Sequence, residues 1–281
     1  MVKKVYIKKI LSDEKVKLLE GKWIDNSYIK KNGLINTDSD IILKENGKET
    51  VIAKFRKNAI SNKSCDLGWD NYRKAATPSR GRGASAGPID VNNTYWKKRI
   101  PVKTSKWSTG YIVKGKLSKM KVNNQVASNV LGYYEGTAFM GLPPRMTNYT
   151  RTKFDNFQKG LPFIQEMSNQ YKNLVPQVYK KQYSRASKRD YLRIPDTSFS
   201  SVTVNRNFRT ALHVDAGNFN GGMAVMTVLE RGKYSGGYTV FPQYGIGFDV
   251  RHGDLLVMEN CNTWHANTAI TESKSQQKYN E

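Results

Sequence analysis

The chain has 281 residues, of which 38 % are hydrophobic and 11 % aromatic, which excludes a disordered tail and leaves room for one large domain or two small ones. Its 46 lysines and arginines against 23 aspartates and glutamates give a net charge of +23, so a polyanion is the first partner to consider. Two cysteines, Cys65 and Cys261, argue against a disulfide scaffold or a zinc ribbon. No apolar run approaches the roughly 20 residues of a membrane span, and the opening MVKKVYIKKILSDEK has no apolar signal core. The expectation is an intracellular protein, nuclear if the source is eukaryotic.

Residues 1–60 carry 14 basic and 8 acidic side chains, and alternate short apolar runs with the turn signals Lys31-Asn32-Gly33 and Glu45-Asn46-Gly47. This predicts strands with lysine-decorated edges, and residues 1–72 are expected to form a small, basic, β-rich extension. Residues 61–125 carry 14 basic and 3 acidic side chains. Within them the Gly/Ala/Ser/Pro cluster of residues 73–90 is a loop holding Arg73, Arg80 and Arg82. Trp69, Tyr72, Tyr95, Trp96 and Trp107 stand among Lys97, Lys98 and Arg99, an interleaving that suits base stacking and phosphate contact as well as core filling. Arg73, Arg80, Arg82, Lys97, Lys98 and Arg99 are the candidate nucleic-acid-binding cations.

From Phe154 to about Ala186 apolar residues recur at three- and four-residue steps, predicting two or three helices punctuated by Pro162 and Pro176. Together, residues 73–195 read as a basic loop and helical platform. After Pro195 the pattern changes to short strands over 197–204, 208–214, 223–229, 238–242, 246–250 and 254–258, with glycine-rich turns between them. That spacing predicts a β-sandwich or jelly roll over 196–281, and for the whole chain an α+β class. This last third carries 7 basic and 8 acidic side chains, so a near-neutral core follows a strongly basic platform.

The chain has three histidines, His213, His252 and His265. His213 and Asp215 lie two apart on an expected strand, which aims both side chains at one face. With His265 they make a set of two imidazoles and one carboxylate, the arrangement of non-haem Fe(II) oxygenases. Zinc hydrolysis with the same ligands lacks a second carboxylate as base. His252, in the turn Arg251-His252-Gly253-Asp254, is expected at the surface, as is Arg251.

The stretch Asn205–Asn218 resembles the strand that opens the oxygenase domain of the TET/JBP family of nucleic-acid base oxygenases. Gly236-Gly237-Tyr238-Thr239-Val240-Phe241-Pro242, Arg251-His252-Gly253-Asp254-Leu255-Leu256 and Trp264-His265-Ala266-Asn267-Thr268 are similar to that family too, so the resemblance covers roughly 195–270. It implies a double-stranded β-helix that binds Fe(II), 2-oxoglutarate and O₂; ascorbate, as reductant or alternative co-substrate, is the option that a missing 2-oxoglutarate anchor leaves open. It implies oxidation of a pyrimidine methyl group, of 5-methylcytosine or thymine, in DNA, and iron ligation by His213, Asp215 and His265. Asn218 matches a position that contacts the extruded base. A base inside a duplex cannot present its methyl to a buried metal, so it must be flipped.

One departure concerns the co-substrate. The family usually grips the 2-oxoglutarate carboxylate with an arginine after the distal histidine, and none follows His265 here. The oxygenase core is therefore expected to lack its final strand. Arg209, an even four residues before His213, is the expected substitute, since an arginine fork suits a carboxylate better than a lysine. The competing readings are a DNA-binding protein with a degenerate oxygenase core, and an Fe(II) oxygenase acting on RNA or protein.

Overall fold

The computed structural model describes residues 1–90, 92, 99–103, 109–113, 115–117, 123–136, 141–215 and 217–272. The chain begins with β1 (Lys3–Ile7), α1 (Asp13–Lys17), β2 (Leu34–Ile35), β3 (Ser39–Glu45), β4 (Lys48–Arg56) and α2 (Asn62–Tyr72). A middle section holds β5 (Pro78–Ser79), β6 (Ile100–Lys103), β7 (Thr109–Val113), β8 (Lys116–Leu117), β9 (Val126–Tyr134) and β10 (Arg145–Met146). The helices α3 (Asn148–Thr152), α4 (Phe154–Leu174) and α5 (Pro176–Ser187) follow. The last section is β: β11 (Ser201–Asn205), β12 (Ala224–Thr227), β13 (Tyr234–Gly236), β14 (Thr239–Phe241) and β15 (Ile246–Phe248). It closes with β16 (Leu255–Met258), β17 (Ala266–Asn267) and β18 (Ile270–Glu272). The class is α+β, as the sequence implies.

Two facing sheets and a helical layer position the site. One sheet has the order β1-β3-β4-β16-β12 and the other β17-β14-β15-β2. Strand β16 shows how the layers meet. Its side chains alternate across the pleat, so Leu256 and Met258 join a core with Phe55, Phe241 and Phe248 between the sheets. Leu255 and Val257 turn the other way, into a core with Phe157, Ile164, Met167 and Tyr171 of α4. A strand covered on both faces reads as a continuous apolar run, which is what Leu255-Leu256-Val257-Met258 is.

The helical stripe resolves into two helices, with Pro176 at the first turn of α5, where its missing N–H costs nothing. Pro162 sits inside α4 and does not end it. Helices α2 and α4 pack closely because glycines let them: a Cβ on Gly160 would stand 2.2 Å from the Tyr72 ring. Tyr72 is therefore a core residue, its hydroxyl donating to the Phe157 carbonyl at 2.8 Å, not a stacking platform for bases.

The strands of residues 1–72 do not form a separate extension. Strands β3 and β4 form a hairpin whose two-residue loop, Asn46-Gly47, has positive φ at both positions. That geometry matches the strand twist and favours Asn-Gly. Strand β4 then pairs with β16 from Arg56↔Leu255 to Ala53↔Met258, and β2 pairs with β15. Local pattern reading finds such strands but not partners about 200 residues away, hence the correction. The stretch 208–214 also differs from expectation. Asn207 takes φ +47, and the following residues form no strand, only an isolated bridge between His213 and His265. After His265 the chain forms β17 and β18; the expected loss of a final strand concerns residues 273–281, outside the described residues.

Candidate metal centre

His213 and His265 are brought together by backbone: each N–H donates to the other's carbonyl at 3.0 Å. Leu212 and Ala266, beside them, are buried with Val240, Val16 and Ile24, so both ligand-bearing segments stand on a packed floor. Asp215 follows in a turn, its N–H bound to the Asn260 carbonyl at 2.9 Å. The strand argument for His213 and Asp215 thus gives the right convergence through a different backbone.

His213 Nε2 lies 3.5 Å from Asp215 Oδ1, and His265 Nε2 lies 3.7 Å from Asp215 Oδ2. One donor atom from each residue falls within 4.8 Å of the others, and the imidazole rings are 4.3 Å apart. His213 Nδ1 meets the Ala211 carbonyl at 2.8 Å, and His265 Nδ1 meets that of Thr263 at 2.9 Å. Both carbonyls select the Nδ1–H tautomer and leave the Nε2 lone pairs turned inward for an ion. The Thr263 carbonyl is itself held in place by Glu259, which accepts from Cys261 N, Asn262 N and Thr263 Oγ1.

The electrostatics suit a cation. Burial pushes the Asp215 carboxyl up, but the two imidazoles that face it, His213 first and then His265, and the Asn260 amide outweigh it and hold the carboxyl below its usual range. Burial first, then the neighbouring His213, bring His265 down to about 4 against the pull of Asp215, so it is a neutral imidazole at pH 7. An ionised carboxylate and a neutral buried imidazole are the protonation states that a metal requires. The donor set, the tautomers and the inward lone pairs therefore fit a divalent iron.

Asn260 was not legible in the sequence. Its Nδ2 donates to Asp215 Oδ2 at 2.6 Å, fixing the carboxylate, yet in sequence it is one asparagine among several in a turn. Asn218 sits exposed on the loop after Asp215, its N–H bound to the Asp215 carbonyl at 3.0 Å.

Arg209 does not reach the triad. Its Nη2 donates to the Ile24 carbonyl at 2.8 Å and its guanidinium lies 5.1 Å from the Trp23 ring. Without a strand over 208–214, even spacing no longer fixes its side. Arg82 is the arginine in electrostatic reach of Asp215: it is half-buried, and burial draws its pKa down while Tyr134 and Asp215 oppose. Its loop is tied to the metal segment, since Ser85 Oγ donates to the Arg82 carbonyl and Ala211 N donates to the Ser85 carbonyl.

Arg73 is exposed at the end of α2 and paired with Asp70 at 3.2 Å. Arg80 and Arg99 are half-buried, and Lys97 and Lys98 lie outside the described residues, as do Tyr95, Trp96 and Trp107. Two surface expectations are corrected. Arg251 is half-buried, stacked 4.4 Å from the Tyr234 ring and bonded to Asp249. His252 is half-buried and accepts from Glu230 N at 3.2 Å. Their turn is a structural joint: the fully buried Asp254 accepts from Lys57 Nζ, Asn58 N and Arg251 N.

Thymine dioxygenase JBP1 of Trypanosoma brucei brucei is 34 % identical over 155 residues, 54 % of this chain and 18 % of that protein. The bifunctional helicase and thymine dioxygenase JBP2 of Trypanosoma cruzi is 30 % identical over 148 residues, 51 % of this chain and 13 % of its own length. The chain thus spans less than a fifth of these relatives. Among solved structures, NgTET1 in complex with 5mC DNA matches with a TM-score of 0.54, covering 95 % of this chain and 78 % of that one at 11 % identity, a likeness of fold. The Tet_JBP model, described as the oxygenase domain of the 2OGFeDO superfamily, matches residues 129–280, more than half the chain, and the chain belongs to that family.

Proposed function

We propose that this chain is an Fe(II)- and 2-oxoglutarate-dependent dioxygenase that oxidises the methyl group of a pyrimidine, 5-methylcytosine or thymine, in double-stranded DNA. The observation that carries the reading is the convergence of His213, Asp215 and His265 with both Nε2 atoms turned inward. Iron and 2-oxoglutarate, when bound, supply the activation of O₂ that an unreactive methyl group demands. The protein's part is to hold three ligands on one side of the ion and leave the other side open. The two sheets support a double-stranded β-helix, because the His213–His265 bridge extends the order β17-β14-β15 by one segment.

Arg82 is the cation we assign to a co-substrate carboxylate, in place of Arg209. Asn218, exposed three residues after Asp215, is the residue we assign to a base turned out of its stack. The substrate reading is supported by the names of the relatives, thymine dioxygenases, and by the DNA-bound structural neighbour. The test is succinate release from 2-oxoglutarate by the Fe(II)-loaded chain. Release stimulated by methyl-bearing duplex, and not by duplex containing only cytosine and uracil as pyrimidines, supports the reading. Equal release with both, or with RNA alone, contradicts it.

A further inference from the structure

Helix α5 divides into two faces. Tyr179 is buried, with its ring 5.6 Å from that of Tyr171, while Lys180, Lys181, Ser184, Arg185 and Lys188 are exposed along or just beyond the helix. These five residues and Phe219 line a groove of about 580 Å³. Between Pro176 and Ser187 there is no acidic side chain, and none of the four cations has an ion-pair partner among the described residues. A solvated basic face is ordinary in a chain of charge +23. This one is distinguished by what forms its far wall.

Phe219 stands four residues after Asp215 and is 40 % exposed. Its loop is fastened to the helices on both sides. The Tyr171 hydroxyl donates to Gln182 Oε1 at 3.0 Å and accepts from Met223 N at 3.1 Å. Gly222 lies so close to α5 that a Cβ there would meet Gln182 Oε1 at 2.5 Å. The cationic helix face and the segment carrying a metal ligand are thus parts of one rigid surface. From Lys180 to Lys188 the cations extend roughly 12 Å at 1.5 Å per residue, enough for two or three consecutive phosphates of one strand.

We propose that this groove binds the phosphodiester backbone of the DNA strand that bears the target base, placing it beside the mouth of the metal centre. The inference rests on the DNA reading above and adds a surface to it. Anions are attracted here without sequence readout. Of the described cations in the 73–99 cluster, Arg73 is paired with Asp70 and Arg80, Arg82 and Arg99 are half-buried, whereas those of α5 are exposed.

The test compares the chain with the triple variant K181Q/R185Q/K188Q and a charge-matched control, K3Q/K4Q/K8Q, whose lysines are exposed at the far sheet edge. Binding of a fluorescent 20-base-pair duplex is measured by anisotropy at several salt concentrations, with Co(II) binding as the check that each protein is folded. The expected result is a tenfold or greater loss for the α5 variant and a salt slope shallower by about 2 to 3, at roughly 0.9 per phosphate contact, with the control little changed. Equal losses in both variants reduce the effect to net charge and overturn the groove. Unchanged binding by the α5 variant overturns the groove and leaves the DNA reading intact. Failure of the unmodified chain to bind duplex at low salt overturns both.

Discussion

Asp215 is the residue on which the metal centre turns, because both imidazoles face it and Asn260 fixes it. Asp215→Ala is expected to abolish turnover and Co(II) binding while leaving the fold, since the backbone bond from residue 215 to Asn260 survives the substitution. Asn260→Ala removes only the orienting amide and is expected to weaken metal affinity about 10- to 100-fold, measured by competition with a chelator. Full affinity in the Asn260 variant would show the carboxylate to be oriented by something else. The two arginines separate in the same way. Calorimetric titration of 2-oxoglutarate into the Co(II) protein should show a clear loss for Arg82→Gln and little change for Arg209→Gln; the opposite order would return the anchor to Arg209. His265 gives the metal-free protein a pH dependence. Its folded pKa of about 4 lies below the unfolded value of roughly 6.5, so the unfolded chain binds more protons between these values. Stability is complete above that window and falls as pH drops through it. Urea midpoints of the metal-free chain at several pH values should show this fall, and His265→Gln should flatten it.

At the scale of elements, the packing of α2 on α4 makes a prediction whose sign is not obvious. Gly160→Ala gains helix propensity of about 1 kcal/mol, yet its Cβ would collide with the Tyr72 ring, which the Phe157 carbonyl holds by the hydroxyl. Overpacking of this kind costs about 1–3 kcal/mol, so the melting temperature should fall, and a rise would show the ring free to retreat. The same elements show what a sequence discloses. The stripe from Phe154 gives the helices because period and breakers are local properties, and Leu255–Met258 gives its strand because burial on both faces leaves an unbroken apolar run. The segment 208–214 misleads because its apolar residues are those of a strand, while Asn207 in the left-handed region sets the chain on another course. The metal ligands were legible as residue types at a spacing. The groups that hold them, Asn260 and the carbonyls of Ala211 and Thr263, were not, because hydrogen bonds across turns leave no periodic mark.

Across the whole molecule, the charge gradient gains a structural meaning. The basic first two thirds supply three strands of the sheet built on β16 and the helices packed behind it, and the near-neutral last third supplies the three metal ligands. A near-neutral ligand-bearing segment joined to a strongly basic one suits a polyanionic substrate whose reacting atom is uncharged. The separate domains suggested by composition merge into one set of packed layers, since β4 pairs with β16 and residues from all three segments share one core. The central claim, oxidation of a pyrimidine methyl group in DNA at the His213–Asp215–His265 centre, is tested most directly by mass spectrometry of nucleosides. Duplexes containing 5-methylcytosine or thymine are incubated with Fe(II), 2-oxoglutarate and either the unmodified chain or the Asp215→Ala variant, then digested. The account predicts a nucleoside heavier by one oxygen atom from at least one of the two bases, formed by the unmodified chain and absent with the variant. Unaltered nucleosides from both duplexes, with iron shown to be bound, would contradict it.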